Sequence, residues 1–508
     1  MNYFLSSMCL SSIFFSACQT DKDNEGSENP NETVESEYVS PDLNGDNSIN
    51  ILVLGTSMSV NGDAGFSSTQ ISAELQSILD GDGANTAEVN VISEDIYTST
   101  PITIGLGGNG TEYTYTHYRH SLLQYYYWPE GLDSRMEMLL GNAEHDWDYV
   151  VIGADPHIVS STPGYHALGL EKVASKIVEG GAQPLLLMIW GAESSGILID
   201  NMEDFTYRIA NGSGTDIAVV PTGLAWSSLS NGQRAPSSEH PTPNGAYLTA
   251  ASIYAHMTNT SAANSEYQYD TELAEVALDT VLQNLDREEL VEQWSVQTPF
   301  SRCDVSDDIM TYHHTGSSSE NGILGGLNWV FDQAPETLEN GNGAIGTFNY
   351  GRANSNFEEN KRYQVNPELY EYSFGFPMQD HGNHGDESML YGLDKRDGGV
   401  MNDTDLGVAR FMIQEAEVPL ARAIPIRTLY AQMQEASPEQ SAYRDAWHMH
   451  RDLDKAIGAY MYTMLTSQCA LGEEPNDGES AEWTTWNAHR IGCNTAWTLM
   501  TLQGASHF

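Results

Sequence analysis

Short, unbroken apolar runs, each closed by a turn, constrain this chain most. They occupy residues 51–54, 149–153, 184–190 and 217–221. A strand with one wet face alternates apolar and polar residues, whereas a run apolar throughout has both faces buried. Segments with helical spacing lie between the runs, at 70–79, 168–178 and 246–256, and a further strand reads at 87–92. This alternation over 49–262 predicts an α/β domain, a parallel sheet covered by helices on both faces in three layers. Such sheets place their chemistry just beyond the carboxyl ends of the strands. Ser57, Asp155 and Gly191 fall there.

The 508 residues carry 71 acidic against 21 basic side chains, a formal net charge of −50. That balance argues against nucleic acid and anionic lipid as partners, since both would be repelled. Residues 1–15 form a short apolar stretch, and Phe15-Ser16-Ala17-Cys18 resembles a bacterial lipobox, although no Lys or Arg precedes it. The resemblance implies a signal peptide at 1–17 and lipidation of Cys18, so the membrane is met only through the anchor. Gln19 in place of Asp directs such an anchor to the outer membrane of a Gram-negative cell; plain secretion is the alternative. Residues 18–48 almost lack large apolar side chains and predict a disordered acidic tether. Asp42, Asn44, Asp46 and Ser48 alternate as calcium ligands do, but no Glu closes the loop, which reads as chance composition.

Beyond Cys18 only Cys303, Cys469 and Cys493 remain. In an oxidising compartment Cys469 can pair with Cys493, leaving Cys303 free. No spacing calls for zinc, and no metal or cofactor is expected. Residues 263–299 read as a charged helical connector and 300–508 as a C-terminal domain. There Ile424-Pro425-Ile426, a strand its proline confines to an edge, precedes His448 and then Gly458-Ala459-Tyr460. Val220-Pro221, His240 and Gly245-Ala246-Tyr247 come in the same order. The C-terminal domain therefore reads as a degenerate second copy of the same type. Gly316-Ser317 echoes the serine turn, but no clean apolar strand precedes it. The stretch from Asp380 to Asp386 (Asp-His-Gly-Asn-His-Gly-Asp) reads as a solvated glycine loop rather than a metal site. The tyrosine-rich stretch 113–128 reads as amphipathic core and rim, with a sugar-stacking platform as the alternative.

Two residues stand out chemically. Ser57 ends the first apolar run in Gly55-Thr56-Ser57, and His240 opens a helix in Glu239-His240-Pro241-Thr242-Pro243-Asn244-Gly245. A serine hydroxyl is a poor nucleophile until a base takes its proton, and here is a candidate for each role. In this order and on this kind of sheet, residues 50–262 resemble the SGNH/GDSL hydrolases. The resemblance implies an α/β/α fold, ester hydrolysis, Ser57 as nucleophile and His240 as base. It also implies an oxyanion hole built from the serine's own N–H, a glycine and an asparagine. Gly108 is the glycine candidate and Asn109 a further donor. The chain departs from the family twice. Gly153-Ala154-Asp155 stands where the family has Gly-x-Asn, and an ionised Asp155 accepts hydrogen bonds but cannot donate them. Ser237 stands three residues before His240 where the family has Asp, so the orienting acid falls to Glu239 or Asp155, with His157 a rival base. The expected function is serine-dependent ester hydrolysis in the cell envelope, on a small-molecule or glycan ester, with acetylated carbohydrate as the expected substrate class. The alternative is an inactive relative that binds a glycan or envelope partner.

Overall fold

The computed structural model describes residues 38–59, 71–106, 111–119, 121–127, 131–141, 146–161, 163–191, 199–229, 240–285 and 287. In the C-terminal part it describes 311–315, 345–349, 372–375, 388–391, 423–437, 451–466, 469, 474–476 and 480–503. The chain enters with β1 (Ser48–Gly55), α1 (Ile71–Asp80) and β2 (Glu88–Asp95). An antiparallel hairpin of β3 (Thr98–Leu106) and β4 (Thr111–Arg119) follows. Next come α2 (Leu122–Tyr127), α3 (Leu132–Leu140), β5 (Tyr149–Ile152), α4 (Pro156–Ser161) and α5 (Pro163–Glu179). The first domain continues through β6 (Gln183–Leu187), α6 (Ile199–Gly212), β7 (Ala218–Val220), α7 (Thr222–Ser227), α8 (Pro243–Thr258) and α9 (Thr271–Leu282).

The first sheet is parallel throughout, in the order β2-β1-β5-β6-β7. Residues 51–55 and all of β5 are buried, which is the burial that unbroken apolar runs require. Helices α1, α8 and α9 pack in one group, and α2, α3 and α5 in another. The α/β class expected from the sequence is present. The tyrosine-rich segment is not one element: its first part is β4, paired from Thr111 to Arg119 with β3, and α2 follows.

Helix α8 starts where its sequence directs. Pro243 supplies the fixed φ of a first turn, and the Thr242 hydroxyl accepts the Gly245 N–H at 3.2 Å. Asn259 ends the helix at φ 57°. Nearly every residue between is buried.

Two expected boundaries move. The tether was expected to reach residue 48, but Tyr38 and Tyr254 both donate to Asp82 Oδ2, and the Val39 N–H donates to the Thr258 carbonyl. Asp148 accepts the N–H groups of Leu43 at 2.7 Å and Asn50 at 2.9 Å. The apparent calcium ligands have structural work instead. Asp42 accepts the Gly45 and Asn47 N–H groups, and Asp46 accepts that of Ser48. At the other end, α9 was expected in a connector. It is capped by Asp270 and places Leu273, Ala274 and Ala277 in the first core, so the first domain extends past residue 262.

The C-terminal part contributes β8 (Thr311–Thr315), β9 (Ile345–Asn349), β10 (Tyr372–Gly375), β11 (Ser388–Tyr391) and β12 (Ala423–Ile424). These also pair in parallel throughout, in the order β9-β8-β10-β11-β12. Taken in chain order, the two sheets share one topology: the second strand lies outside the first, and the rest follow in sequence. β12 is at an edge but stops at Ile424: Pro425 and Ile426, expected within the strand, open the next helix instead. Pro425 caps α10 (Ile426–Ala436) as Pro221 caps α7. The chain closes with α11 (Arg451–Thr466), which carries the buried Gly458-Ala459-Tyr460, and α12 (Ala481–Gln503). No apolar strand precedes Gly316, as the sequence indicated: the strand there, β8, is Thr-Tyr-His-His-Thr. The glycine loop 380–386, His448 and Cys303 lie outside the described residues.

The two halves meet. A Cβ on Gly164 of α5 would come within 2.4 Å of Leu499 in α12, so that glycine is what lets the helices close. Glu435 of α10 accepts hydrogen bonds from Tyr126 at 2.6 Å, Tyr127 at 2.8 Å and Lys172. Cys469 and Cys493, which the sequence left free to pair, form a disulfide with Cα atoms 5.7 Å apart. It spans a sequence separation of 24, so its reduction should lower stability by about 3 kcal/mol. The measurement is the urea midpoint with and without dithiothreitol, with no effect expected in the Cys469→Ser, Cys493→Ser double variant. Among the described residues no helix is long and apolar enough to cross a membrane.

Candidate active site

The sheet ends on two glycines that let the site close. The Gly153 N–H donates to the Leu54 carbonyl at 2.7 Å, and the Ile96 N–H to the Gly55 carbonyl at 2.8 Å. The strands are thus still in register where the turn begins. A Cβ on Gly55 would lie 2.0 Å from Ser59 Oγ, and one on Gly153 would lie 2.3 Å from it. Ser59 fills the notch between the two strand ends, and its N–H donates to the Thr56 carbonyl at 2.9 Å. This tight turn presents Ser57 at the carboxyl edge of β1. The Thr56 hydroxyl beside it is buried with no hydrogen-bond partner, a rare condition for a polar atom in a native fold.

His240 reaches the same edge from the far end of the domain. Two residues after it, Thr242 caps α8, which fixes the height of the histidine over the sheet. The start of α8 is itself held: Trp226 stacks on Trp190 with centroids 4.1 Å apart, and a Cβ on Gly245 would sit 2.2 Å from the Trp226 ring. The result is one contact across 183 residues of sequence, Ser57 Oγ to His240 Nε2 at 2.9 Å. Both side chains are half-buried. This is the geometry a general base needs to take the serine's proton.

Gly245→Ala should therefore be costly. The stacked indole cannot move aside, and overpacking of this kind destabilises by about 1–3 kcal/mol. Because the first turn of α8 sets His240, any rate that depends on His240 should fall more than the stability loss explains, which thermal melting beside a rate assay would reveal.

Asp155 has a local structural role. Its Oδ1 accepts the His157 N–H at 2.8 Å, and its carbonyl accepts the N–H groups of Ile158 and Val159. It stands immediately before α4 and caps that helix. Glu239, Gly108, Asn109 and Cys18 lie outside the described residues. Sequence reasoning missed Ser59 and the Trp190–Trp226 stack. The only signal for Ser59 was the pair of strand-end glycines, Gly55 and Gly153.

No protein-family model and no curated protein matches this chain. Two solved structures do. One is a chain provisionally titled an SGNH hydrolase, from Slackia heliotrinireducens, with 20% identity over 40% of this chain and 95% of that one, at a TM-score of 0.28. The other is a DUF4886 family protein from Bacteroides uniformis, with 13% identity over 48% of this chain and 99% of that one, at a TM-score of 0.30. These similarities concern the fold alone, and the chemistry rests on Ser57 and His240.

Proposed function

We propose that this protein is a serine-dependent ester hydrolase of the cell envelope, acting on an acetylated carbohydrate. The observation that carries the reading is the 2.9 Å contact between Ser57 Oγ and His240 Nε2. Ser57 Oγ attacks the acyl carbon while His240 Nε2 takes its proton. The tetrahedral intermediate then collapses, His240 returns the proton to the leaving sugar oxygen, and the acyl group stays on Ser57. Water repeats the sequence and releases the acid. The backbone N–H of Ser57 is one donor for the developing oxyanion, with Gly108 and Asn109 as further donors. Glu239, next to His240 in sequence, is the carboxylate this proposal assigns to the second ring nitrogen of His240. Export with an anchor on Cys18, at the outer membrane, is part of the proposal. The Cys469–Cys493 disulfide supports it, because such bonds persist in oxidising compartments.

A fluorophosphonate probe tests the reading. It should label Ser57, identified by peptide mass, and acetylated xylan should release acetate. Absence of labelling in folded protein would sink it. A second reading has its own observation: Asp155 stands where a donor asparagine is expected and caps a helix instead. That favours an inactive domain holding a glycan in the same cleft, and it predicts carbohydrate binding without labelling.

A further inference from the structure

A cavity of about 270 Å³ opens between α5 of the first domain and α10 and α12 of the C-terminal part. Its walls include Glu171, Lys172, Gln432, Glu435, Arg490 and Asn494. Neither Ser57 nor His240 lines it, so it is separate from the catalytic pair.

The two cations differ. Lys172 is already neutralised by Glu435. Arg490 is not: its Nε and Nη2 both donate to Asn487 Oδ1, at 3.1 and 2.7 Å, and its guanidinium lies 5.8 Å from the centroid of Trp486. Both partners are uncharged. The chain holds 71 acidic residues, yet among the described residues no carboxylate pairs with Arg490.

Holding Arg490 this way destabilises the fold locally. Asn487 is 1% exposed, and its Nδ2 has no hydrogen-bond partner. Turning the amide over would only set Nδ2 against the guanidinium, donor facing donor, so the orphan is not an artefact of which atom is called nitrogen. Buried amides are left unpaired rarely, and each case calls for a reason. Here the amide fixes the direction of a guanidinium on the wall of a cavity. Other donors stand beside it. Gln432 accepts the Thr495 hydroxyl on Oε1 at 3.0 Å, leaving its Nε2 to donate, and Asn494 adds a second amide. A planar charged fork flanked by amides matches a carboxylate. Glu171 on the same wall is an acceptor available to hydroxyl groups. At this range the local pairing outweighs the distant negative charge of the chain, which salt screens over about 8 Å.

We propose that this cavity binds a small polyhydroxylated carboxylate, of the uronate class, with the carboxylate on the free edge of Arg490. Calorimetry and thermal melting of the full chain with sodium glucuronate and with glucose test it. Glucuronate should bind saturably and raise the Tm, and glucose should not. Arg490→Gln should abolish the response, and Arg490→Lys, which keeps charge but loses the fork, should weaken binding about tenfold or more. Asn487→Leu separates positioning from folding: it removes the orphaned amide, so the unliganded Tm should hold or rise while glucuronate affinity falls about tenfold. That variant also decides the matter if Arg490→Gln fails to fold. No saturable response to glucuronate, an equal response to glucose, or undiminished affinity in Asn487→Leu would each overturn the proposal.

Discussion

Ser57→Ala and His240→Ala should each lower kcat/KM for p-nitrophenyl acetate by on the order of 10⁴–10⁶, and the double variant should fall no further than the worse single one. The non-additivity follows from the 2.9 Å contact. Without the base, the hydroxyl keeps its proton; without the hydroxyl, the base has nothing to activate. Each loss therefore removes the same covalent step. Neither change should disturb folding much, because both side chains are half-buried at the edge of the sheet, and melting curves provide the control. Equal activity of Ser57→Ala and the natural chain would remove Ser57 as nucleophile. Losses that multiply in the double variant would show that the two residues do not act together. The expected wild-type rate itself depends on what orients the imidazole. In a triad, loss of the acid costs about 10⁴ in kcat, so Glu239→Gln reads directly whether Glu239 holds that place.

The site was legible because each half sits in a short, distinctive frame. A buried strand running into Gly55-Thr56-Ser57 leaves the chain little choice but a tight turn at a sheet edge. Pro241, Pro243 and a capping threonine announce a helix start beside His240. The first sheet was legible for a similar reason: strands buried on both faces must be apolar throughout. β8 was illegible because its Thr-Tyr-His-His-Thr sequence has no such run. Its strand character comes from β-branched and aromatic residues and from pairing with β9 on one side and β10 on the other. The capping role of Asp155 was not legible because a carboxylate at the start of a helix serves equally as a cap or as an active-site acid. The sequence could not signal Glu435 with Tyr126, partners 309 residues apart that only the meeting of the two halves brings together.

Stability should fall steeply between pH 6.5 and 5, with three histidines responsible. Burial pushes His166 in α5, His256 at the end of α8 and His489 in α12 each from the ordinary 6.5 down to about 4, with nearby Lys455 adding to the effect on His489. In the folded protein these rings stay neutral across that range, whereas in the unfolded chain they take up protons below pH 6.5. The folded state therefore binds fewer protons, and unfolding becomes easier as pH falls, until the folded values near 4 are reached and the effect levels off. By pH 5 each ring should contribute a loss of about 2 kcal/mol, so the three together remove about 6 kcal/mol, a large share of the stability of an ordinary domain. Carboxylates act on both sides: Glu74 and Asp148 are raised by burial, which favours the folded state as acid is added and offsets part of the loss, whereas Glu435, against the cost of its burial, is held low by Lys172, which adds to the loss at lower pH. Urea midpoints at pH 7.5, 6.5, 5.8 and 5 read the slope. Replacing one ring by an uncharged side chain, as in His256→Gln, should flatten it by about a third. A midpoint unchanged from pH 6.5 to 5 would mean that these rings meet the solvent's protons as readily folded as unfolded, and that the helices around them open far more easily than their packing implies.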